Sequence, residues 1–317
     1  MNKRDHTFDL AKGFAIILMV IGHCYHAEYG ILHLINAFHM PFFFLVSGML
    51  YADKWCDEVR FSLLGTGRKL LIPYFVFDSL FCLFVTVLLR PDDLLETFCG
   101  TWLTRVFTLI GRTATWFLPC QFFTITIFAV GAKYLKKPMW IGACVCMFTI
   151  AVLFSFERFL PLQRSLVGIG FFAVGFYMKT DITRRCAPVM LCVGGLIYVV
   201  LARFNGMVSL IGLRFSNPIL YTVNGILGSW LLYQLCLRIP VGRCTTWIEY
   251  LGRNSLIVLC THMFFIEVIR LLDYKLFDNV LYTLGILEGV VFGMLVVGLL
   301  FPVIAVSNRY LRKLYGK

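Results

Sequence analysis

The chain has 317 residues, of which 60% are hydrophobic and 15% charged, and its formal net charge is +12. A soluble globular chain is closer to half apolar and a quarter charged, so an ordinary soluble domain is excluded. A nucleic-acid binder is not indicated either, because Lys and Arg are confined to short stretches between apolar blocks, the pattern that orients membrane helices.

Those blocks are about twenty residues long, the length at which a helix crosses a ~30 Å hydrocarbon core. Ten follow one another, at about 8–27, 31–52, 70–89, 115–135, 138–156, 160–178, 186–202, 217–237, 254–272 and 279–306, each closed by a charge cluster or a Pro/Gly break. Lys3 and Arg4 precede the first block as they would a secretory leader. Asp9 and Lys12 interrupt it, however, and no small-x-small cleavage site ends it, so it is expected to stay as a span. The predicted fold is an all-α integral membrane protein with about ten transmembrane helices in one bundle. It forms a single membrane domain over 1–317 with no separate soluble domain. With the N-terminus in the cytoplasm, that side collects 19 of the 29 Lys and Arg residues and the opposite side 9, Lys12 lying within the first span. This asymmetry places both termini in the cytoplasm. The twelve cysteines include no C-x-x-C pair and sit mostly inside apolar runs, where a thiol behaves as a small hydrophobe. Cys144 and Cys146 point to opposite sides of a helix, so no metal site is expected.

Ionisable groups at membrane depth are costly and mark candidate sites. The first segment carries Asp9, Lys12 and His23. Lys12 and His23 are eleven residues apart, about three turns, and so share a face ~17 Å apart along the axis. Asp9 is placed to pair with Lys12 at i,i+3. The second segment runs back and carries His39 at a depth similar to that of His23. A single buried His is commonly just hydrogen-bonded to a neighbouring helix. Two at matching depth, one above a lysine, form the best candidate for proton transfer near neutral pH, and His23, His39 and Lys12 are expected to converge on one cavity. Ser255 and His262 lie two turns apart on the ninth segment. Glu267 is expected to pair with Arg270. Glu288, well inside the tenth segment with no local partner, and Asp78 in the third are either neutral structural carboxyls or functional ones.

These residues also carry a resemblance. Phe8-Asp9-Leu10-Ala11-Lys12-Gly13 followed by Gly22-His23 resembles the opening of the acyltransferase-3 membrane family, with its basic residue, ten intervening residues and histidine. Phe38-His39-Met40-Pro41-Phe42-Phe43-Phe44-Leu45-Val46-Ser47-Gly48 is similar to the family's FF-x-x-SG segment, closest to members described as fucose O-acetylase-like or polysaccharide O-acetyltransferases. Arg68-Lys69 leading to Pro73-Tyr74, Trp116-Phe117-Leu118, and Leu251-Gly252-Arg253-Asn254-Ser255 leading to His262 resemble further family segments in the same order.

The resemblance implies a membrane-bound O-acyltransferase, multi-pass in the plasma membrane. It would move an acyl group, usually acetyl from cytoplasmic acetyl-CoA, to a hydroxyl of an extracytoplasmic carbohydrate or cell-envelope glycan. In that frame His23, His39 and Lys12 are the catalytic candidates, His23 acting as a general base or, in a covalent route, His23 or His39 accepting the acyl group. Arg68, Lys69, Arg243 and Arg253 are candidates for the CoA phosphates, and Trp102, Trp116, Arg112, Ser255, His262 and Glu288 for the substrate. Many family members have Arg where this chain has Lys12, so bidentate anion binding is not carried over. Some members carry a fused esterase-like domain; without one, transfer is completed in the membrane or handed to a separate extracytoplasmic protein. The other reading of mid-membrane polar residues is a secondary transporter of a small, amino-acid-like substrate, against which stands the absence of an inverted repeat or paired broken helices.

Overall fold

The computed structural model of the chain describes residues 5–24, 30–56, 63–89, 94–154, 160–276 and 285–311, which are helical nearly throughout. Three long helices open the fold: α1 (His6–Cys24), α2 (Gly30–Cys56) and α3 (Leu63–Leu89). A short α4 (Leu94–Thr101) continues as a π-helical turn, Trp102–Phe107, and a 3₁₀ turn, Ala114–Trp116, leads into α5 (Phe117–Tyr134). Then come α6 (Lys137–Leu153), α7 (Leu160–Tyr177), α8 (Lys179–Thr183), α9 (Pro188–Asn205) and α10 (Pro218–Cys236). The chain closes with α11 (Arg243–Arg253), α12 (Ser255–Leu276) and α13 (Ile286–Tyr310). Among the described residues, nine helical stretches are at least 18 residues long and apolar enough to cross a membrane, and α6, at 17 residues, is a shorter apolar helix. These ten lie at the ten predicted segments, with ends moved by up to seven residues. Prolines in the first turns of α6, α9 and α10 set their starts, where a missing N–H costs nothing.

Two elements depart from expectation. Residues 238–253 read as a loop, but 243–253 form α11, whose alternating polar and apolar faces leave no long hydrophobic run to detect. The stretch 90–114 also read as a loop, yet it contains α4 and the π-helical turn.

α1, α2, α7 and α10 form the centre, flanked by α12 and α13. Helices in lipid gain little from apolar burial alone, so close backbone approach at small residues matters. A Cβ on Gly48 of α2 would fall 2.1 Å from the Phe172 carbonyl oxygen, and one on Gly175 of α7 1.9 Å from that of Leu45. The α1–α11 contact is built the same way, with Gly252 1.8 Å by this measure from the Asp9 carbonyl. We expect Gly252→Ala to destabilise the bundle by about 1–3 kcal/mol through overpacking, seen as a lower unfolding temperature in detergent. An unchanged temperature would contradict so close a contact. At the periphery, Val189, Leu196 and Phe204 of α9 are exposed, as lipid-facing side chains are.

The starts of α1, α3 and α12 and the ends of α2 and α13 gather at one end of the bundle. There Asp53 pairs with Lys179, Asn308 Nδ2 donates to Asn254 Oδ1 at 2.9 Å, and Tyr250 stacks on Phe301. Arg68, Lys69, Arg243 and Arg253 are exposed at this basic end. The loops 109–116 and 206–217 cover the opposite, loop end.

Candidate active site

Two cavities adjoin within the bundle. The first, about 270 Å³, is lined by His23, by Asn36 and His39 of α2, by Arg112, Thr113 and Trp116, by the 208–211 loop, and by Leu259 and Met263 of α12. The second, about 180 Å³, holds Lys12, Ser47, Gln121 and Ser255 among apolar side chains. Met40 and Leu259 line both, so the two share a wall, and their polar groups are spread along the ~17 Å of α1 between Lys12 and His23.

The helices fix the histidine rings by a one-turn back-bond. Nδ1 of His39 lies 2.8 Å from the Ile35 carbonyl oxygen, and Nδ1 of His262 2.9 Å from that of Val258. A carbonyl only accepts, so Nδ1 carries the proton in each, and a neutral ring then presents Nε2 as a bare acceptor. The rings of His23 and His262 are 5.2 Å apart, tilted by 41°. His262 is fully buried and its Nε2 has no hydrogen-bond partner among the described residues. Arg270 Nη2 donates to the His23 carbonyl oxygen at 2.9 Å while Glu267 holds Arg270 at 3.4 Å. The end of α1 is thereby tied to α12 beside the catalytic candidate.

The loop wall of the first cavity is a construction of its own. Asp78, completely buried on α3, accepts from the backbone N–H of Arg112 at 3.0 Å, the N–H of Thr113 at 3.3 Å, and the hydroxyls of Thr113 at 3.1 Å and Thr115 at 2.5 Å. Gly111 just before has φ +78°, and a Cβ there would press on Trp116 at 2.8 Å, so only glycine fits both the left-handed backbone and the indole behind it. Arg164 of α7 completes the wall. Its guanidinium donates to the Ile211 carbonyl at 2.6 and 3.0 Å and to the Ile110 carbonyl at 3.0 Å, and it lies 5.1 Å from the Trp116 ring centroid, within cation–π range. One buried cation thus joins both loops to the cavity's aromatic residue.

Set beside the sequence expectations, His23 and His39 share a cavity, whereas Lys12 opens into the adjoining one. Lys12 Nζ pairs with Asp9 Oδ1 at 2.9 Å, as the i,i+3 spacing predicts. Arg112 and Trp116 line the first cavity and Ser255 the second. His262 does not line the first cavity but backs His23. Trp102 lines neither; its Nε1 donates to Ser79 Oγ at 2.8 Å and buttresses the α3–α4 corner. Glu288 is a correction. α13 begins at Ile286, so Glu288 is exposed in the first turn rather than deep in a span, where the helix N-terminus favours a carboxylate. Arg68, Lys69, Arg243 and Arg253 lie outside both cavities at the basic end. Three residues escaped the sequence reading: Arg164, Gln121 and the loop-pinning role of Asp78. A buried arginine inside an apolar segment was the available signal for the first.

The fold and site define a polytopic membrane protein with two imidazoles lining one of two adjoining cavities and a lysine lining the other. The chain matches the acyltransferase-3 family, an acyltransferase domain, over residues 5–305. It belongs to that family, and the family makes it a membrane acyltransferase. No curated protein and no solved structure shows significant similarity to the chain.

Proposed function

We propose that this acyltransferase is an acetyl-CoA-dependent O-acetyltransferase of the plasma membrane, with both termini cytoplasmic, acting on a hydroxyl of an extracytoplasmic carbohydrate or cell-envelope glycan. The observation that supports this reading best is the pair of adjoining cavities, with Lys12 toward the basic end and the histidines toward the loop end. A donor reaching in from one side and an acceptor from the other meet at His23 without either crossing the bilayer. The charge asymmetry of the loops supports a cytoplasmic basic end, where Arg68, Lys69, Arg243 and Arg253 would be available to the CoA phosphates.

In the reaction, His23 takes the acceptor hydroxyl's proton as that oxygen attacks the thioester carbonyl. When the C–S bond breaks, the imidazolium returns the proton to the departing thiolate. His262, whose ring packs 5.2 Å from that of His23, positions His23 by this ring contact rather than touching substrate. His39 Nε2 faces the acceptor, and the Trp116 face and Arg112 guanidinium suit a sugar ring with its hydroxyls. Lys12 holds the donor.

Lys12→Ala should therefore raise the KM for acetyl-CoA roughly tenfold or more, the scale of a lost charge-assisted contact, with a smaller change in kcat. Lys12→Arg should retain part of the affinity, because charge survives and geometry does not. The reading as a whole is tested by mass spectrometry of envelope glycans with and without the gene, where loss of an acetyl group is expected. An unaltered glycan, together with no acetyl-CoA turnover by the purified protein, would overturn it.

A further inference from the structure

The second cavity contains a side chain that neither the fold nor the proton-transfer chemistry accounts for. Gln121 of α5 is 3% exposed, and both its Nε2 and its Oε1 lack a hydrogen-bond partner among the described residues. A buried carboxamide left unpaired costs on the order of 1–3 kcal/mol per group, so a sequence selected for stability alone would place a hydrocarbon here. Its position is set by the helix: Phe117 and Leu118, four and three residues earlier, share its face and line the same cavity, as side chains at i−4 and i−3 do. The amide is thus aimed into a space bounded by Lys12, Ser47 and Ser255 and otherwise by apolar groups. About 180 Å³ is roughly ten times what a single water requires, so the space suits an extended chain better than one solvent molecule.

We infer that Gln121 reads the pantetheine arm of the acyl donor, its carboxamide pairing with one of the arm's secondary amides inside the Lys12 cavity; the inference rests on the acyl-CoA reading above. A secondary amide offers one N–H donor and one C=O acceptor, and a glutamine side chain is complementary to both at once. The remainder of the arm is methylene and geminal-dimethyl carbon, which matches walls such as Phe43, Phe117 and Leu259. Location supports the same occupant. The cavity adjoins the histidine cavity through Met40 and Leu259, so an arm lying here directs its thioester end toward His23 and its phosphate end toward the basic end of the bundle.

The test is a set of dissociation constants on the full chain in detergent, with three probes: coenzyme A, pantetheine, and adenosine 3′,5′-bisphosphate, which is the nucleotide half without the arm. Gln121→Met, close in shape but without the amide, should weaken coenzyme A and pantetheine equally, by about tenfold, and leave adenosine 3′,5′-bisphosphate unchanged. Ligand-free Gln121→Met should unfold at the same temperature as the parent or higher, because an unpaired buried amide has been removed. Equal weakening of all three probes, or a lower unfolding temperature, would show that Gln121 is structural. Unchanged binding of the two arm-bearing probes would show that it serves only to hold water. If the parent protein binds none of the three, the acyl-CoA reading itself fails and this inference falls with it. That result is distinct from a parent that binds and a variant that binds equally well.

Discussion

On the proposed mechanism, His23→Ala is expected to lower acyl transfer by a hundredfold or more while the protein still folds and keeps its affinity for coenzyme A. Positioned general bases contribute about 10²–10⁴ in rate, and His23 is the imidazole that both lines the first cavity and packs against a second histidine. Donor affinity survives because the groups assigned to the donor, Lys12 and the adjoining cavity, lie about three helical turns away. His262→Asn should cost less, about tenfold in kcat with little change in either KM, because it acts through His23. His39→Ala should lie between, its bare Nε2 facing the acceptor. The measurement is acetyl transfer by purified variants with a parallel coenzyme A binding assay, which separates chemistry from binding. Near-normal turnover by His23→Ala would leave the ring a structural role and remove the mechanism.

The division of the site into two cavities explains why Lys12 and His23 stand three turns apart rather than adjacent. On the proposed reading, the catalyst holds a donor that is anionic at one end and an acceptor that approaches from the other side. One helix that spans the depth keeps the two binding regions in fixed register. α1 is suited to this because it is clamped at both ends. Gly13 and Gly252 bring it against α11 near Lys12, and Arg270 ties its last turn to α12 beside His23.

Much of this was legible in the residues because membrane helices obey few rules. Segment length and helical periodicity were enough to place ten apolar helices and to put Lys12, His23 and His39 on facing surfaces. The convergence of all three on one cavity did not follow. Whether neighbouring polar groups share one space or two is decided by bulky side chains from other helices, here Met40 and Leu259, and their positions are not encoded in the periodicity of α1. The cavity walls were hidden for a related reason. Arg112, Trp116 and the 208–211 loop are brought to His23 by contacts from Asp78 and Arg164 that span more than thirty residues, and no local pattern announces such a bond. Glu288 failed differently: its apparent depth came from an apolar run that begins before α13 does.

The loop wall sets the second large effect. Asp78→Ala removes the acceptor of four donors in a fully buried place, and the two backbone N–H groups of Arg112 and Thr113 have no means of turning elsewhere. Leaving them unpaired costs about 3 kcal/mol or more, so this variant should unfold at a clearly lower temperature in detergent. Asp78→Asn is the more informative change. Its one oxygen, in the place of Oδ2, still accepts from Arg112 N–H, and its new N–H₂ is met by the Thr113 and Thr115 hydroxyls, which rotate to accept; only the longest of the four bonds, from Thr113 N–H at 3.3 Å, is lost. The fold should then hold while the wall loosens. Because Asp78 lines neither cavity and acts only through the segment carrying Arg112 and Trp116, the effect should fall on the acceptor side. We expect its KM to rise about tenfold, with the KM for acetyl-CoA within twofold of the parent. Equal changes in both constants would mean that the wall is not part of the acceptor site. No change in either would mean that the four hydrogen bonds serve stability alone.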